Sequence, residues 1–126
     1  MKTKPIMISS SIFLGILGIL LTFIPDEIAS SLSVTSNSIS TLSLQLLGAL
    51  YLGFAMLNWM AKGTLIGGIY NKPIAIGNFM HFTVGGLALI KIITDIDAHI
   101  EIIIFLTVFY VIFALLFAYV FRTNPT

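Results

Sequence analysis

The residues best suited to chemistry are a few polar side chains inside long apolar stretches. Asn78 and His81 are three residues apart, and Gly85 follows four residues later. On a helix this spacing places all three on one face. An ionisable side chain within a segment of hydrocarbon length is a functional candidate by default, because an unpaired polar group in lipid costs several kcal/mol. His81 is therefore the first candidate for contact with a ligand.

A second stripe of polar residues precedes the His81 face in the chain. Gly48, Tyr51, Ala55 and Asn58 follow one another at spacings of three, four and three residues. This pattern combines small and polar side chains on one helical face. A face of this kind points towards protein rather than lipid. We expect it to meet the face that carries His81.

The titratable and phenolic groups fall at similar depths. At about 1.5 Å per residue from the basic residue flanking each segment, His81 lies roughly 13 Å, Tyr51 roughly 16 Å and Tyr110 roughly 18 Å deep. This predicts a small polar pocket near mid-membrane. The candidate ligand-binding residues are His81, Asn78, Asn58, Tyr51 and Tyr110. In the alternative interpretation, a neutral His81 bonded to Tyr51, Asn78 or a helix carbonyl only holds the helices together.

Lys91 is a cation near the end of the same apolar segment, four residues before Asp95. The spacing predicts a local ion pair, and the alternative is contact with an anionic head group or substrate. His99 lies among Asp95, Asp97 and Glu101. We expect a solvated surface there and no metal site.

Four apolar runs, residues 6–24, 41–61, 73–94 and 100–121, must position these groups. Each is close to the roughly 20 residues that a helix needs to cross a bilayer. The gaps between them alternate in charge. Five of the six basic residues flank the runs on one side, namely Lys2, Lys4, Lys62, Lys72 and Arg122. The acidic residues flank them on the other side and are Asp26, Glu27, Asp95, Asp97 and, at the start of the fourth run, Glu101. The sequence predicts an all-α, antiparallel four-helix membrane bundle that forms a single domain over 1–126, with both termini cytoplasmic.

Local signals refine the helix ends. Residues 25–40 are rich in serine and predict a polar loop with a short interfacial turn. A cap at Ser40 or Thr41 is expected to begin the second helix, and Pro73 to lie at the start of the third. The loop 62–73 carries apolar residues and is expected to lie against the membrane.

Small residues mark the faces on which helices are expected to pack. Stripes of this type let two backbones approach closely. They comprise Ser11, Gly15, Gly18 and Thr22 in the first run, Gly48 and Ala55 in the second, and Ala114 and Ala118 in the fourth. The first interpretation is packing within the chain, and the alternative is homo-oligomerisation.

The composition excludes several classes of function. The 126 residues include no cysteine, which removes disulfide, thiolate and iron–sulfur chemistry. No basic cluster is long enough to predict binding of nucleic acid. Phosphate-binding, nucleophile-elbow and zinc-protease motifs are absent from the sequence, so we assign no catalytic residue and expect a non-catalytic protein.

The stretch Leu47-Gly48-Ala49-Leu50-Tyr51-Leu52-Gly53, followed by Lys62 and a glycine-bearing loop, resembles the second helix of small DoxX-like bacterial membrane proteins. The resemblance covers residues 45–90. It implies a bacterial inner (plasma) membrane and makes a lipophilic ligand more plausible, since some members are associated with quinone-linked oxidoreduction. It carries over no catalytic residue.

The leading interpretation is a non-catalytic membrane protein that binds a lipophilic small molecule or serves as an accessory subunit of a membrane complex. One alternative is a quinone-linked oxidoreductase component in which His81 and Tyr51 hydrogen-bond a quinone. Another is a small transporter, which the single uncoupled histidine and the lack of intramembrane carboxylates disfavour.

Overall fold

The computed structural model describes residues 3–64 and 71–123, and all its regular elements there are helices. They are α1 Lys4–Phe23, α2 Pro25–Ser31, α3 Ser38–Ala61, α4 Lys72–Ile93 and α5 Ile100–Thr123. Within the described ranges, α1, α3, α4 and α5 are long and apolar enough to cross a membrane. The all-helical prediction and the four apolar spans are confirmed, with ends shifted by three residues or fewer. The predicted contact of the loop 62–73 with the membrane falls largely on residues 65–70, which lie outside the described residues.

The described residues group into two compact units. One is Lys4–Lys62, which holds α1, α2 and α3. The other holds α4 and α5.

In the first unit, α1 and α3 pack antiparallel through small residues. The Ser11 hydroxyl donates to the Ala55 carbonyl at 2.8 Å. Near the other end of the pair, a Cβ built on Gly48 would lie 2.6 Å from Thr22 Oγ1 and 3.0 Å from the Gly18 carbonyl oxygen. The backbones can approach this closely only because glycine has no side chain. Packing within the chain, predicted for the stripes on these two helices, is confirmed.

The segment between α1 and α3 contains more structure than the sequence predicted. Pro25 begins the short helix α2, where a missing N–H costs nothing. The cap of α3 is Asn37, whose side chain accepts from the backbone N–H groups of Ile39 and Ser40. The Ser40 hydroxyl in turn accepts from the Asn37 N–H at 2.9 Å, which completes a capping box. The predicted cap at Ser40 or Thr41 is therefore wrong, since Ser40 is the third residue of the helix.

In the second unit, α4 and α5 pack antiparallel around aromatic rings. Phe82 is fully buried and stacks on Phe113 and Phe117, with centroids 5.0 and 5.8 Å away. The Lys72 ammonium is 5.6 Å from the Phe121 ring centroid, so the start of α4 lies beside the end of α5. Pro73 lies in the first turn of α4, as predicted.

Candidate functional site

His81 and Tyr110 form the polar centre of the α4–α5 pair. The Tyr110 hydroxyl is 3.1 Å from His81 Nε2. Tyr110 is 3% exposed, and His81 is half-buried. Either the hydroxyl donates to an unprotonated Nε2 or a protonated Nε2 donates to the hydroxyl, according to the tautomer. The donor in this contact therefore depends on which ring nitrogen of His81 carries the proton.

Aromatic packing fixes the orientation of both side chains. The Phe82 ring is edge-on to His81 at 5.0 Å and edge-on to Tyr110 at 5.2 Å between centroids. Edge-to-face contacts at these distances are favourable for aromatic rings. Phe82 thus holds the imidazole and the phenol against each other.

Gly85 makes room for the tyrosine ring. A Cβ at this position would lie 2.5 Å from Tyr110 Cε2 and 2.9 Å from Cδ2. These distances are too short for a real side chain, so glycine is required for the ring to reach His81. The helical spacing predicted that Gly85 shares a face with His81, but it did not identify Tyr110 as the partner.

Asn78 lies one turn before His81 on α4. Its side-chain nitrogen donates to the Ile74 carbonyl at 2.9 Å, and the residue is 1% exposed. A hydrogen bond to the preceding turn satisfies part of the amide inside an apolar helix. Asn78 thus lies near the His81–Tyr110 pair with one donor already engaged.

The other two predicted site residues belong to the first unit. The Asn58 side-chain nitrogen donates to the Ser10 hydroxyl at 3.0 Å, and Ser10 donates to the Met7 carbonyl at 3.1 Å. This buried chain joins α3 to α1 and gives Asn58 a packing role. Tyr51 is half-buried on α3. Of the five predicted residues, the structure brings His81 and Tyr110 into direct contact and places Asn78 one turn away.

A separate apolar groove lies between α4 and α5, with a volume of about 120 Å³. Its lining residues are Phe82, Thr83, Gly86, Leu87, Ile90, Val111, Ala114 and Leu115. Thr83 and His81 are about 200° apart around α4, so the groove and the polar pair lie on opposite sides of Phe82. The sequence stripe that contains Ala114 indicated close packing at this position, whereas in the structure Ala114 helps to form an open groove.

The Thr83 hydroxyl is buried at this groove, and no hydrogen-bond partner for it occurs among the described residues. A buried hydroxyl without a partner is unfavourable. No pattern in the sequence indicates Thr83, because a threonine inside an apolar helix usually bonds to its own backbone.

The end of α4 differs from its predicted arrangement. Lys91 is exposed, and within residues 71–123 its ammonium makes no ion pair with Asp95. His99 has φ of 59° directly before α5, a left-handed backbone conformation that is uncommon outside glycine. The part of the chain that is described contains no group of three or more histidine or acidic residues able to hold a metal ion.

Comparison of the chain with protein-family models, with curated proteins and with solved structures gives no match. Its function is therefore inferred from the residues themselves.

Proposed function

We propose that this chain is a small four-pass integral membrane protein that binds a lipophilic small molecule at His81 and Tyr110. Its helices form one antiparallel bundle, and both termini are cytoplasmic. The observation that carries the proposal is the 3.1 Å contact between His81 Nε2 and the Tyr110 hydroxyl.

The position of this pair supports binding from the bilayer. His81 is roughly 13 Å along α4 from Lys72, close to the middle of a helix that spans residues 72–93. Lipid offers no hydrogen bonds at that depth, so polar groups there are costly unless they serve packing or function. A lipophilic molecule with one polar group reaches this depth through the hydrocarbon and can approach the pair from the side of the half-buried His81.

The resemblance to DoxX-like proteins is consistent with this assignment and with a bacterial inner membrane. It also makes a quinone a reasonable example of the ligand class. We assign no catalytic step, because the described residues near the pair include no further titratable side chain within one turn of His81 on α4.

Native mass spectrometry of the protein extracted gently from its own membrane tests the proposal. The wild-type chain is expected to retain a small lipophile at a stoichiometric mass. Tyr110→Phe removes the hydroxyl but keeps the ring that packs on Phe82, so it should lose the lipophile without unfolding. His81→Gln should behave in the same way.

His99→Gln is the matched control, because this second histidine lies outside the helices. It should retain the lipophile. Retention by Tyr110→Phe and His81→Gln at the wild-type level would contradict the proposal. A stoichiometric protein partner without a lipophile would instead make the chain an accessory subunit, with His81 serving packing.

A further inference from the structure

We propose that the groove between α4 and α5 binds one phospholipid with a zwitterionic, primary-amine head group. A segment of one acyl chain occupies the groove, the phosphate contacts Lys91 and the ammonium contacts Asp95. This site is distinct from the His81–Tyr110 pair and does not depend on its function.

The groove leads directly to Lys91. Thr83, Leu87 and Lys91 follow one another at spacings of four residues and therefore form one ridge of α4. Thr83 and Leu87 line the groove, and Lys91 is about 6 Å further along the helix. The apolar groove is thus followed by a cation near the membrane surface, just as the acyl chain of a phospholipid is followed by its phosphate.

Small residues form the floor of the groove and large ones its rim. Gly86 and Ala114 leave the space open, while Leu87 and Leu115 are 63% and 67% exposed beside it. Its volume of about 120 Å³ has room for a segment of a hydrocarbon chain. The apolar walls offer water few partners, so in a bilayer a hydrocarbon chain is the favoured occupant.

The charges at this end favour a zwitterion over an anion. Lys91 is exposed and makes no ion pair with any residue of the described chain. Three exposed carboxylates lie at this end of the helix pair, those of Asp95 and Asp97 in the connection and that of Glu101 in the first turn of α5. A purely anionic head group would be attracted by one charge and repelled by three. In a zwitterionic head group, the negative phosphate can instead pair with Lys91 while the positive ammonium pairs with Asp95.

The contact with Asp95 requires a head group whose nitrogen is a primary ammonium. A primary ammonium donates hydrogen bonds to a carboxylate, and charge-assisted bonds of this type are stronger than neutral ones. A quaternary ammonium has no N–H group to donate. Phosphatidylethanolamine therefore fits this site better than phosphatidylcholine.

The test measures lipid retention by the purified full chain in native mass spectrometry. Phosphatidylethanolamine, phosphatidylglycerol and phosphatidylcholine with identical acyl chains are added at equal concentration. Phosphatidylethanolamine should be retained most. Lys91→Gln and Asp95→Asn should each lower its retention about two- to fivefold, as expected for loss of an exposed ion pair. Lys72→Gln, at the opposite end of α4, should have no effect.

Ala114→Leu tests the groove itself, because the larger side chain fills the acyl-chain position. It should lower retention of all three lipids. Should this variant unfold, the exposed Lys91→Gln still decides the question. Equal retention of the three lipids, a preference for phosphatidylglycerol, or unchanged retention of phosphatidylethanolamine by Lys91→Gln would each overturn the proposal.

Discussion

At the scale of single residues, contacts made by glycines and hydroxyls decide which polar groups meet. His81 reaches Tyr110 because Gly85 leaves space for the phenol ring. The hydroxyl and the imidazole are then hydrogen-bonded to each other between α4 and α5. The pair therefore depends as much on a missing side chain as on the two side chains present.

Gly85→Ala should displace the Tyr110 ring from His81. The new Cβ would lie 2.5 Å from Tyr110 Cε2, so the ring must move. We expect overpacking of about 1–3 kcal/mol in the free energy of unfolding. Unfolding in detergent by heat or denaturant measures it, and Gly53→Ala is the control, because nothing lies within 4 Å of a Cβ there.

A double variant shows whether the ring causes the loss. Tyr110→Phe keeps the clashing carbon but has no hydrogen bond to His81 left to lose, so its combination with Gly85→Ala should fall short of the sum of the single changes by that bond alone, about 1 kcal/mol. Tyr110→Leu removes the ring, and its combination with Gly85→Ala should be less destabilising than the sum of the single changes. Additivity in both combinations would mean that Gly85 and Tyr110 do not interact.

Asp26 makes the α2 region sensitive to acid. Its Oδ1 atom accepts hydrogen bonds from the Thr41 hydroxyl at 2.7 Å and the Ser36 hydroxyl at 2.9 Å. These two bonds hold the pKa of the Asp26 carboxyl below its ordinary value of 3.8, and the bond from Thr41 has the larger effect. Because the folded pKa is below the unfolded one, the contribution to stability is present above the unfolded value. It is lost as the pH falls through the folded value.

The corresponding measurement is the thermal midpoint from neutral pH down to about pH 3. Asp26→Asn keeps the acceptor oxygen but removes the charge, so its midpoint should decline less steeply below about pH 4 than that of the wild type. The effect should be small, since the carboxyl is fully exposed. Asp97→Asn, in the other acidic loop, serves as control. Identical slopes for wild type and Asp26→Asn would exclude this role for the charge.

At the scale of elements, helix pairing in the first unit depends on how closely two backbones approach. A Cβ added to Gly48 on α3 would lie 3.0 Å from backbone atoms of Gly18 and Thr22 on α1, and backbone cannot move aside as a flexible side chain can. At Gly15 the nearest atom, Ala55 Cβ, is 3.7 Å from such a Cβ, an ordinary contact distance. The same small-residue face is therefore tight at one end and relaxed at the other.

This difference in packing distance predicts that a glycine-to-alanine substitution lowers the free energy of unfolding more at one end of the α1–α3 contact than at the other. Gly48→Ala should destabilise the chain by about 1–3 kcal/mol, whereas Gly15→Ala should be close to neutral. Thermal or denaturant unfolding of the two variants in the same detergent provides the comparison. Equal losses would show that the two ends of the α1–α3 contact are equally tight.

The elements also show what the sequence can predict. Four long apolar runs fix the four long helices, because length and hydropathy alone decide whether a segment can span a bilayer. The Asn37 cap and the helix α2 were missed because serines crowd that segment, and several of them fit a cap or a loop equally well. At the site, spacing placed Asn78, His81 and Gly85 on one face. The choice of Tyr110 as the partner of His81 depends on packing between helices, which spacing within one helix does not encode.

At the scale of the whole molecule, the alternation of charge between the helices is the basis for the proposed topology. In the second unit, Lys72 and Arg122 lie at the ends of α4 and α5 that meet at Phe121. Asp95 and Asp97 lie in the connection at the opposite end. In the first unit, Lys62 follows α3 and its ammonium lies 3.7 Å above the Trp59 ring, an arrangement that suits a membrane interface. Cytoplasmic loops are enriched in lysine and arginine, so the basic ends are assigned to the cytoplasm.

The proposed topology can be tested by labelling single cysteines, since the chain contains none of its own. Thr35→Cys and Asp97→Cys place a thiol in exposed positions of the two acidic connections, and Thr64→Cys places one beside Lys62. In right-side-out vesicles, a membrane-impermeant maleimide should label the first two directly and Thr64→Cys only after permeabilisation. Labelling of Thr64→Cys alone in intact vesicles would invert the topology. Labelling of Thr35→Cys and Asp97→Cys from opposite sides would mean that α3 and α4 do not both cross the bilayer, because two crossings between these positions must return the chain to the same side.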